Sequence, residues 1–455
     1  MDSVNQMLGE LAGLVWGPPL IVWCVGSGLY FLILSRGVQV RYFAHAVQVV
    51  LGKFDNADDP GAINHFQALS TALSATIGLG NIAGVAWAIT TGGPGAMVWM
   101  WLIGAIGMGT KFFTCTLAVK YRRIDETGQV HGGPMYYIEQ GLGKAWKPLA
   151  VAFALFVMAA TFGGGNMFQS NQAAVALDHY FGVPKWVSGL ALAVLVALVI
   201  IGGIKRIGNV ASRIVPFMCL LYIAGALVII VMHISMLPDL FVLIFKDAFT
   251  GQAVAGGAIG AVIQQGVRRG VFSNEAGLGS APIAHAAAKT EEPIREGFVA
   301  MLGPFIDTLV VCTMTALVIT ISGIYADGDF IARAAENSDL KGVIVTAEAF
   351  NQSIPGFGKF LVTAAVSLFA FSTMISWSYY GEQGAFYLFG EAIVMPYRIM
   401  FVVALFLGAI WKFGPVLNVS DILFAFMALP TLLATIMLSR RVVDDLKAYH
   451  AKYMA

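Results

Sequence analysis

The sequence predicts an all-α protein that crosses a membrane many times. Of its 455 residues, 58% are hydrophobic and only 12% are charged, whereas a soluble domain carries about 25% charged residues. Its mean hydropathy is +0.77. The apolar residues fall in runs long enough to span a bilayer, which takes about 20 residues. Because lipid leaves unpaired backbone without a partner and the runs are too long for barrel strands, we expect each run to be a helix.

Composition and cysteine placement exclude several other classes of protein. With 27 Lys and Arg against 26 Asp and Glu, the chain cannot form the basic surface that a nucleic-acid partner requires. The four cysteines lie in separate apolar runs, without the spacing of a metal site or a disulfide framework. They are Cys24, Cys115, Cys219 and Cys312. The N-terminus lacks the basic region of a cleavable signal peptide.

We count about eleven apolar segments, and each is a candidate membrane-spanning helix. They lie at 13–35, 64–90, 94–120, 147–176, 184–204, 212–233, 252–288, 296–323, 356–388, 395–412 and 416–438. Their orientation follows from the connecting segments, because Lys and Arg concentrate in cytoplasmic loops. With the N-terminus outside, the inner loops carry 18 Lys and Arg and the outer loops carry six. The predicted topology is therefore N-out and C-in.

Two connecting segments are long. The inner one, 121–146, contains an amphipathic stretch at 135–140 that we expect to form a short helix along the membrane interface. The outer one, 324–355, carries five acidic residues, and both a lid and a plain solvated loop fit it.

The second span is interrupted by small and polar residues. At its centre, Gly78 and Gly80 flank Leu79, and each glycine weakens a helix by about 1 kcal/mol relative to alanine. A break in a membrane helix is tolerated only where it lines a cavity inside the protein. The segment 64–90 contains no acidic residue. An ammonium group there must be met mainly by carbonyls, and a carboxylate by the Leu79 and Gly80 amides, so a zwitterion fits the break.

The seventh span repeats this pattern. The Gly-Leu-Gly string that begins at Gly78 recurs at Gly277, which is 199 residues later, and each copy opens a block of five spans. An odd number of spans inverts the second block. Paired interrupted spans in inverted halves indicate a transporter site near the middle of the membrane. Close helix packing is the competing explanation for the small residues.

The repeat divides the chain into four parts. Residues 1–60 hold an extra N-terminal span and a cytoplasmic interfacial segment. The first five-helix repeat covers 61–235, the inverted second repeat covers 236–440, and 441–455 form a cytoplasmic tail.

Two further spans contain polar clusters. The fourth has three glycines followed by Asn and Gln residues at 163–172, and such amides at lipid depth face a partner helix or a cavity. The ninth has adjacent hydroxyls at Ser372 and Thr373. These hydroxyls either ligate Na⁺ or bond back to their own helix.

Three strings together resemble the alanine/glycine:sodium symporter family. They are 78–85 followed by 92–96, the stretch 270–280, and the Gly-Asn-Met-Phe-Gln string at 165–169. The resemblance covers essentially the whole chain. It implies the leucine-transporter fold, with an extra helix before a ten-helix core, and Na⁺-driven uptake of alanine or glycine across the cell membrane. It implies no cofactor beyond the coupling ion.

The same resemblance implies a substrate pocket. The amides of Leu79 and Gly80, beside Gly78, would hold the substrate carboxylate, and the carbonyl of Thr76 would hold its amine. The remaining pocket residues would be Phe168, Asn171, Phe272 and Ser273.

A sodium site is implied next to this pocket. Its ligands would be the carbonyls of Ser74, Ile77 and Phe369 with the hydroxyls of Ser372 and Thr373. Asn81 either belongs to a second sodium site or caps the helix where it restarts, so one or two Na⁺ per cycle both fit.

Charged residues inside the spans leave other functions open. They are Lys111, Glu275, Asp307 and Glu382. A proton-coupled transporter of the same fold would use Asp307 or Glu382. Arg268 and Arg269 lie near Glu275 in sequence, which fits either a gating ion pair or structural pairing. A membrane enzyme would need a nucleophile with a base or a metal set, and the His spacing shows neither. A channel is not excluded by interrupted helices.

Overall fold

The computed structural model describes residues 2–126, 128–250, 259–411 and 413–454, and most of them are helical. The first eleven helices are α1 (Asp2–Val15), α2 (Pro18–Leu34), α3 (Val38–Arg41), α4 (Phe43–Val50), α5 (His65–Thr76), α6 (Val85–Gly92), α7 (Ala96–Lys120), α8 (Pro134–Leu142), α9 (Lys147–Phe162), α10 (Phe168–Phe181) and α11 (Lys185–Ile200). The others are α12 (Gly203–Met232), α13 (Leu237–Thr250), α14 (Ile259–Asn274), α15 (Ala281–His285), α16 (Pro293–Pro304), α17 (Thr313–Ser322), α18 (Gly328–Glu336), α19 (Val343–Ser353), α20 (Gly358–Phe389), α21 (Val394–Ile410) and α22 (Phe413–Tyr453).

Short irregular elements connect or interrupt these helices. π-Helical turns at Gly80–Gly84, Gly163–Met167 and Phe305–Cys312 join α5 to α6, α9 to α10 and α16 to α17. A two-stranded antiparallel hairpin pairs β1 (Arg123–Ile124) with β2 (Val130–His131).

Many of these helices are long and apolar enough to cross a membrane. Seven continuous helices of the described chain qualify, and two bent pairs, α1 with α2 and α5 with α6, raise the number to nine. α11 is apolar but has only 16 residues, and α14 and α15 are separated by a break. The all-α membrane architecture is thus confirmed, while the count of eleven spans and the N-out orientation stay predictions.

Several boundaries differ from the sequence expectation. α12 begins at Gly203 rather than at 212, and α22 continues to Tyr453, so most of the predicted tail from 441 is helical. The amphipathic helix α13 was not predicted at all. The added segments of α12 and α22 carry exposed charged residues, and a search for apolar runs ends where they begin. In α13 the charged residues Asp239, Lys246 and Asp247 interrupt the apolar run. The predicted start of the seventh span, at 252–258, lies outside the described residues.

The two long connecting segments are largely structured. The expected helix at 135–140 is confirmed as part of α8. The outer segment contains α18 and α19 rather than a plain loop. Thr346 on α19 is buried, and its hydroxyl donates a 3.1 Å hydrogen bond to the Ile82 carbonyl in the interrupted span. The outer segment therefore packs directly against the break.

Backbone hydrogen bonds join the ends of the two interrupted spans that lie on the predicted cytoplasmic side. Ile63, just before α5, pairs with Ala288, just after α15, in a parallel bridge. The Arg122 guanidinium donates to four carbonyls around this bridge. The acceptors are Pro60 (2.6 Å), Ala286 (2.9 Å), Ala288 (2.5 Å) and Thr290 (2.7 Å). We call this arrangement the inner clasp.

A buried carboxylate strengthens the inner clasp. Glu296, in the first turn of α16, is fully buried. One of its oxygens contacts Nδ1 of His65 at the start of α5, and the other lies 2.5 Å from Nδ1 of His285 at the end of α15. A buried carboxylate without hydrogen-bond partners is energetically costly, so Glu296 depends on these two contacts. They hold the start of α5, the end of α15 and the start of α16 together.

Replacing Arg122 with Lys should destabilise the protein. An ammonium group cannot reach four carbonyls on both sides of the bridge, and each charge-assisted hydrogen bond contributes about 1.5–3 kcal/mol. We expect a loss of about 3 kcal/mol, measured as a lower melting temperature in detergent micelles. The exposed neighbour offers a control, since Arg123→Lys should melt like the wild type. Equal melting of the two variants would contradict the role of the clasp.

Candidate functional site

The two interruptions predicted from the sequence lie side by side. α5 ends at Thr76, and the chain bends by 49° before it continues into α6. α14 ends at Asn274, and the next residues include three with positive φ. They are Glu275 (φ +57°), Gly277 (φ +90°) and Gly279 (φ +89°). A Cβ atom added to Gly80 would lie 3.3 Å from the Ser273 Cα, so the backbones of the two breaks are in contact.

The amide expected to bind the substrate carboxylate is held by a neutral side-chain oxygen. The Leu79 amide donates a 3.1 Å hydrogen bond to Oε1 of Gln169, which is buried on α10. The Gln169 Nε2 group donates in turn to the Gly164 carbonyl at 2.8 Å. Gln169 belongs to the polar cluster noted in the fourth span, but the sequence did not single it out. The feature of the sequence that could have identified Gln169 is a side-chain amide within an apolar helix.

The Thr76 carbonyl, which is expected to bind the substrate amine, faces the same break. It accepts a 2.9 Å hydrogen bond from the Gly78 amide, and a carbonyl oxygen has a second lone pair available. The Thr76 hydroxyl donates to the Ala72 carbonyl of its own helix at 3.2 Å, so its side chain is occupied within the helix.

Aromatic rings form one wall beside the two breaks. Phe168 and Phe272 meet edge to face with centroids 5.6 Å apart, and Phe272 lies 5.0 Å from Phe424 of α22. Phe424 also stacks on Trp377 of α20 at 5.1 Å. A Cβ atom on Gly165 would overlap the Trp377 ring, which explains why the fourth span carries glycine there. The structure thus brings Phe168 and Phe272 together, as the sequence predicts. Trp377 and Phe424 also belong to this wall, but they were not predicted from the sequence as pocket residues.

Asn171 does not reach this wall, contrary to expectation. Its Nδ2 group donates to the carbonyls of Gly408 (3.2 Å) and Trp411 (2.8 Å), so it fastens α10 to α21. Phe168 is three residues away on the same side of α10, so the carbonyls at the end of α21, rather than the helical period, decide where the Asn171 amide binds.

The oxygens expected to ligate sodium come together between α5 and α20. The Ser74 hydroxyl donates to the Ser372 carbonyl at 2.6 Å, and the Thr373 hydroxyl donates to the Ser74 carbonyl at 3.0 Å. The Ser372 hydroxyl donates to the Phe369 carbonyl at 3.0 Å. Ile77, the last of the group, is fully buried where the helix breaks. These are hard oxygen donors beside an unwound segment, as a small cation requires.

A second polar cluster surrounds Asp307 in the π-helical turn. Its Oδ1 accepts a 2.6 Å hydrogen bond from the Asn81 Nδ2. Its Oδ2 accepts from the hydroxyls of Ser273 (2.9 Å) and Thr308 (2.7 Å). Asn81 also accepts the Gly78 amide at 3.0 Å, so it caps the break and reaches the carboxylate at once. Asp307 therefore contacts both interrupted spans, and its sequence signal was an acid inside an apolar run.

Of the two alternatives for Arg268 and Arg269, the structure shows structural pairing, and the partner is not Glu275. Both arginines bind Asp421 of α22, with hydrogen bonds of 2.5 Å from Arg268 and 2.6 and 3.2 Å from Arg269. Glu275 instead accepts the Trp377 indole N–H at 3.0 Å and the Ser280 hydroxyl. Arg268 and Arg269 lie on α14 before its break, so their side chains reach the start of α22 rather than the break itself.

Glu382 lies apart from the interruptions. It pairs with Arg398 through hydrogen bonds of 2.6 and 2.9 Å, at the edge of a polar cavity of about 360 Å³. Since it follows Thr373 by nine residues on α20, it is about 13 Å farther along the helix. Among the described residues, no three His, Cys, Asp or Glu side chains gather as a transition-metal site would require.

The geometry can be compared with known proteins. A family model described as the sodium:alanine symporter family matches residues 1–455. The chain belongs to the sodium:alanine symporter family. It is similar to the sodium/alanine symporter AgcS of Methanococcus maripaludis, with 45% identity over 99% of this chain and 98% of that protein. It is also similar to the putative sodium/proton-dependent alanine carrier protein YrbD of Bacillus subtilis, with 38% identity over 98% and 92% of the two chains.

Two solved structures share its fold. MhsT in complex with L-phenylalanine gives a TM-score of 0.52 at 13% identity, covering 84% of this chain and 99% of that one. A mutant manganese transporter of Eremococcus coleocola gives 0.53 at 13% identity, covering 85% and 82%. At this identity the likeness shows the fold alone, which is the leucine-transporter fold expected from the sequence.

Membership of the sodium:alanine symporter family sets the general function. The protein is a multi-pass transporter of the cell membrane and not an enzyme. The family implies Na⁺ as the coupling ion, without an organic cofactor. The earlier alternative of a membrane enzyme is thereby excluded.

Enlarging Gly165 should disturb the aromatic wall of this symporter-family protein. Since a Cβ atom there would overlap Trp377, we expect Gly165→Ala to lower the unfolding free energy by about 1–3 kcal/mol. The melting temperature in detergent micelles would report it. Gly26→Ala is the matched control, because nothing lies within 4 Å of that helical position. If both variants melted alike, tight packing at Gly165 would be disproved.

Proposed function

We propose that the protein carries a small neutral amino acid, alanine or glycine, into the cell together with Na⁺ by alternating access. The observation that carries this proposal is the interrupted span α5–α6. Its Leu79 amide meets the neutral Gln169 oxygen on one side, and its Ser74 oxygens meet those of Ser372 and Thr373 on α20 on the other. An anion and a cation would thus be held within one short unwound segment.

Gln169 supports the placement of the substrate carboxylate. Its side-chain oxygen accepts the Leu79 amide, so a carboxylate oxygen of similar size would take over that hydrogen bond with a stronger, charge-assisted one. The displaced Gln169 amide would remain close enough to donate to the same carboxylate. The ammonium group would then face the Thr76 carbonyl.

The size of the pocket supports a small side chain. Phe272 lies against Gly80, with its Cδ1 atom 3.3 Å from where a Cβ of that glycine would be. Phe168, Phe424 and Trp377 pack behind it without a gap between the rings. A hydrogen or a methyl group fits against such a wall at little cost, whereas a larger side chain would displace buried aromatic rings.

Ion binding would order the break. Na⁺ bound by the carbonyls of Ser74 and Phe369 and by the hydroxyls of α20 would tie α5 to α20 and so fix the Leu79 amide for the substrate. Because binding linkage is reciprocal, alanine should raise the affinity for Na⁺ by the same factor as Na⁺ raises that for alanine.

A proton-coupled carrier of the same fold is the second candidate function. It is favoured by Asp307, a buried carboxylate that contacts both interrupted spans through Asn81 and Ser273. The relative YrbD is described as sodium/proton-dependent. The same cluster would equally serve a second Na⁺. Glu382 is the weaker proton carrier of the two, since Arg398 already neutralises it.

Uptake into proteoliposomes separates these two functions. We expect labelled alanine to accumulate with an inward Na⁺ gradient and not when choline replaces Na⁺ at fixed pH. Uptake that follows a proton gradient without Na⁺ would instead establish proton coupling. If uptake is proton-coupled, Asp307→Asn should abolish it, while the Glu382→Gln variant should still take up alanine.

Removing one hydroxyl should weaken Na⁺ activation. If the lost ligand oxygen contributes about 1.4 kcal/mol to Na⁺ binding, the affinity for Na⁺ falls about tenfold. We therefore expect Thr373→Ala to raise the Na⁺ concentration for half-maximal uptake about tenfold. Thr373→Ser keeps the hydroxyl and serves as the control, with near-normal Na⁺ dependence. Unchanged Na⁺ activation in Thr373→Ala would remove Thr373 from the sodium site.

A further inference from the structure

A groove remote from the transport site lies between the end of α2, the turn into α3 and the last turns of α22. Its volume is about 690 Å³. It is lined by Ile33, Leu34, Ser35, Arg36, Arg41, Tyr42, Val443, Leu446, Lys447, His450 and Ala451. We call it the interfacial groove, because α2 is an apolar span that ends at Leu34.

The polar part of the interfacial groove is basic. Arg36, Arg41, Lys447 and His450 line it, and no acidic side chain does so among the described residues. Lys447 lies 3.5 Å from Asp444, but both side chains are about three-quarters exposed, so this pair is weak. Arg36, Arg41 and Lys447 thus produce a positive potential without a compensating carboxylate among the described residues that line the groove.

Two of the basic groups are well placed to receive an anion. The Arg41 guanidinium lies 5.3 Å from the centroid of the Tyr42 ring, a contact that leaves its N–H donors available. Arg36 has an exposed side chain and a positive φ of +55°, a conformation that non-glycine residues rarely adopt. Neither guanidinium forms an ion pair with any described carboxylate, so both have donors free for a ligand.

The other part of the groove is apolar. Ile33 is 75% exposed, and Leu34, Val443 and Leu446 continue the surface beside it. Apolar side chains at the end of a membrane span face acyl chains, and basic residues just beyond them face phosphates. Basic pockets between spans on the cytoplasmic side are typical sites for anionic head groups.

We propose that the interfacial groove binds an anionic phospholipid. Its phosphate group is held by Arg36 and Arg41, with Lys447 and His450 at the other wall. Its acyl chain lies along Ile33 and Val443. A free phosphate shares the head-group chemistry but cannot use the apolar wall, so the two sources of an anion differ in affinity.

Lipid in this groove would stabilise the end of α22. That end already contacts α4 and α16. Tyr449 lies 2.9 Å from the His45 ring nitrogen, and Lys452 binds Glu292 at 2.7 Å. On the groove side the Tyr42 hydroxyl lies 3.1 Å from His450. A bound head group would add charge-assisted contacts between α2, α3 and α22, and so raise resistance to thermal unfolding.

The test titrates the purified full-length protein in neutral detergent with three probes. They are phosphatidylglycerol, phosphatidylcholine and inorganic phosphate. We expect phosphatidylglycerol to raise the melting temperature to saturation, and the other two to leave it unchanged. Native mass spectrometry should show phosphatidylglycerol bound to the intact protein.

Variants locate the effect. Arg36 and Arg41 are exposed, so the double variant Arg36→Gln/Arg41→Gln should melt like the wild type without lipid. Each basic side chain near an anionic lipid increases the affinity for that lipid about fivefold. The half-saturating phosphatidylglycerol concentration of the double variant should therefore be about 25-fold higher than that of the wild type. The control Arg440→Gln removes an exposed charge from α22 outside the groove and should leave the titration unchanged.

Three outcomes would overturn the proposal. Equal stabilisation by phosphatidylcholine would mean that any lipid covers the apolar wall. Equal stabilisation by inorganic phosphate would mean a free-anion site. An equal loss in Arg440→Gln would mean that the general surface charge, and not this groove, attracts the lipid.

Discussion

The backbone of an interrupted membrane helix must find hydrogen-bond partners inside the protein, and most of the site follows from that constraint. The break after Thr76 frees amides and carbonyls that lipid cannot satisfy. Asn81 and Gln169 accept two of the freed amides, and Ser372 and Thr373 bond with Ser74 beside the break. Each of these partners is a polar group that a ligand can replace or share. The polar groups that stabilise the break are therefore the same groups that the proposed substrate and ion would use.

Side-chain size matters around this break as much as polarity does. The glycines of α9–α10 and of the two breaks allow Trp377, Phe424 and Phe272 to lie against the backbone. A side chain added at these glycines would overlap or press against the rings. The arginines of α14 and Asp421 then add charge-assisted hydrogen bonds next to the aromatic wall, and Arg269 lies 5.3 Å from the Phe272 ring centroid. Polar and aromatic contacts thus connect α14 and α22 in the same region.

The sequence predicted the helical membrane fold and the place of both breaks, because glycine weakens helices locally and leaves a signal within a few residues. It also predicted that Ser74 and Thr373 meet, through resemblance to a known family. It did not predict the partners of the charges. Asp421 is 152 residues from Arg269, and Trp377 is 102 residues from Glu275. Such pairs depend on how helices pack, which one sequence does not encode in any local pattern. The contacts of Asn171 with Gly408 and Trp411 depend on helix packing in the same way, since these carbonyls are 237 and 240 residues away.

The inner clasp restricts how the two interrupted spans can move. The backbone of Ile63 bonds to Ala287 and Lys289, on either side of its bridge partner Ala288, and Arg122 and Glu296 add contacts across the same junction. A swing of α5 by itself would have to break these bonds together. A movement that carries α5 and α15 as one unit keeps the backbone bonds between them, and it keeps the contacts of Arg122 and Glu296 if α16 and the end of α7 move as well. The clasp would thus couple the two breaks, so that a rotation at one break would move both halves of the proposed site together.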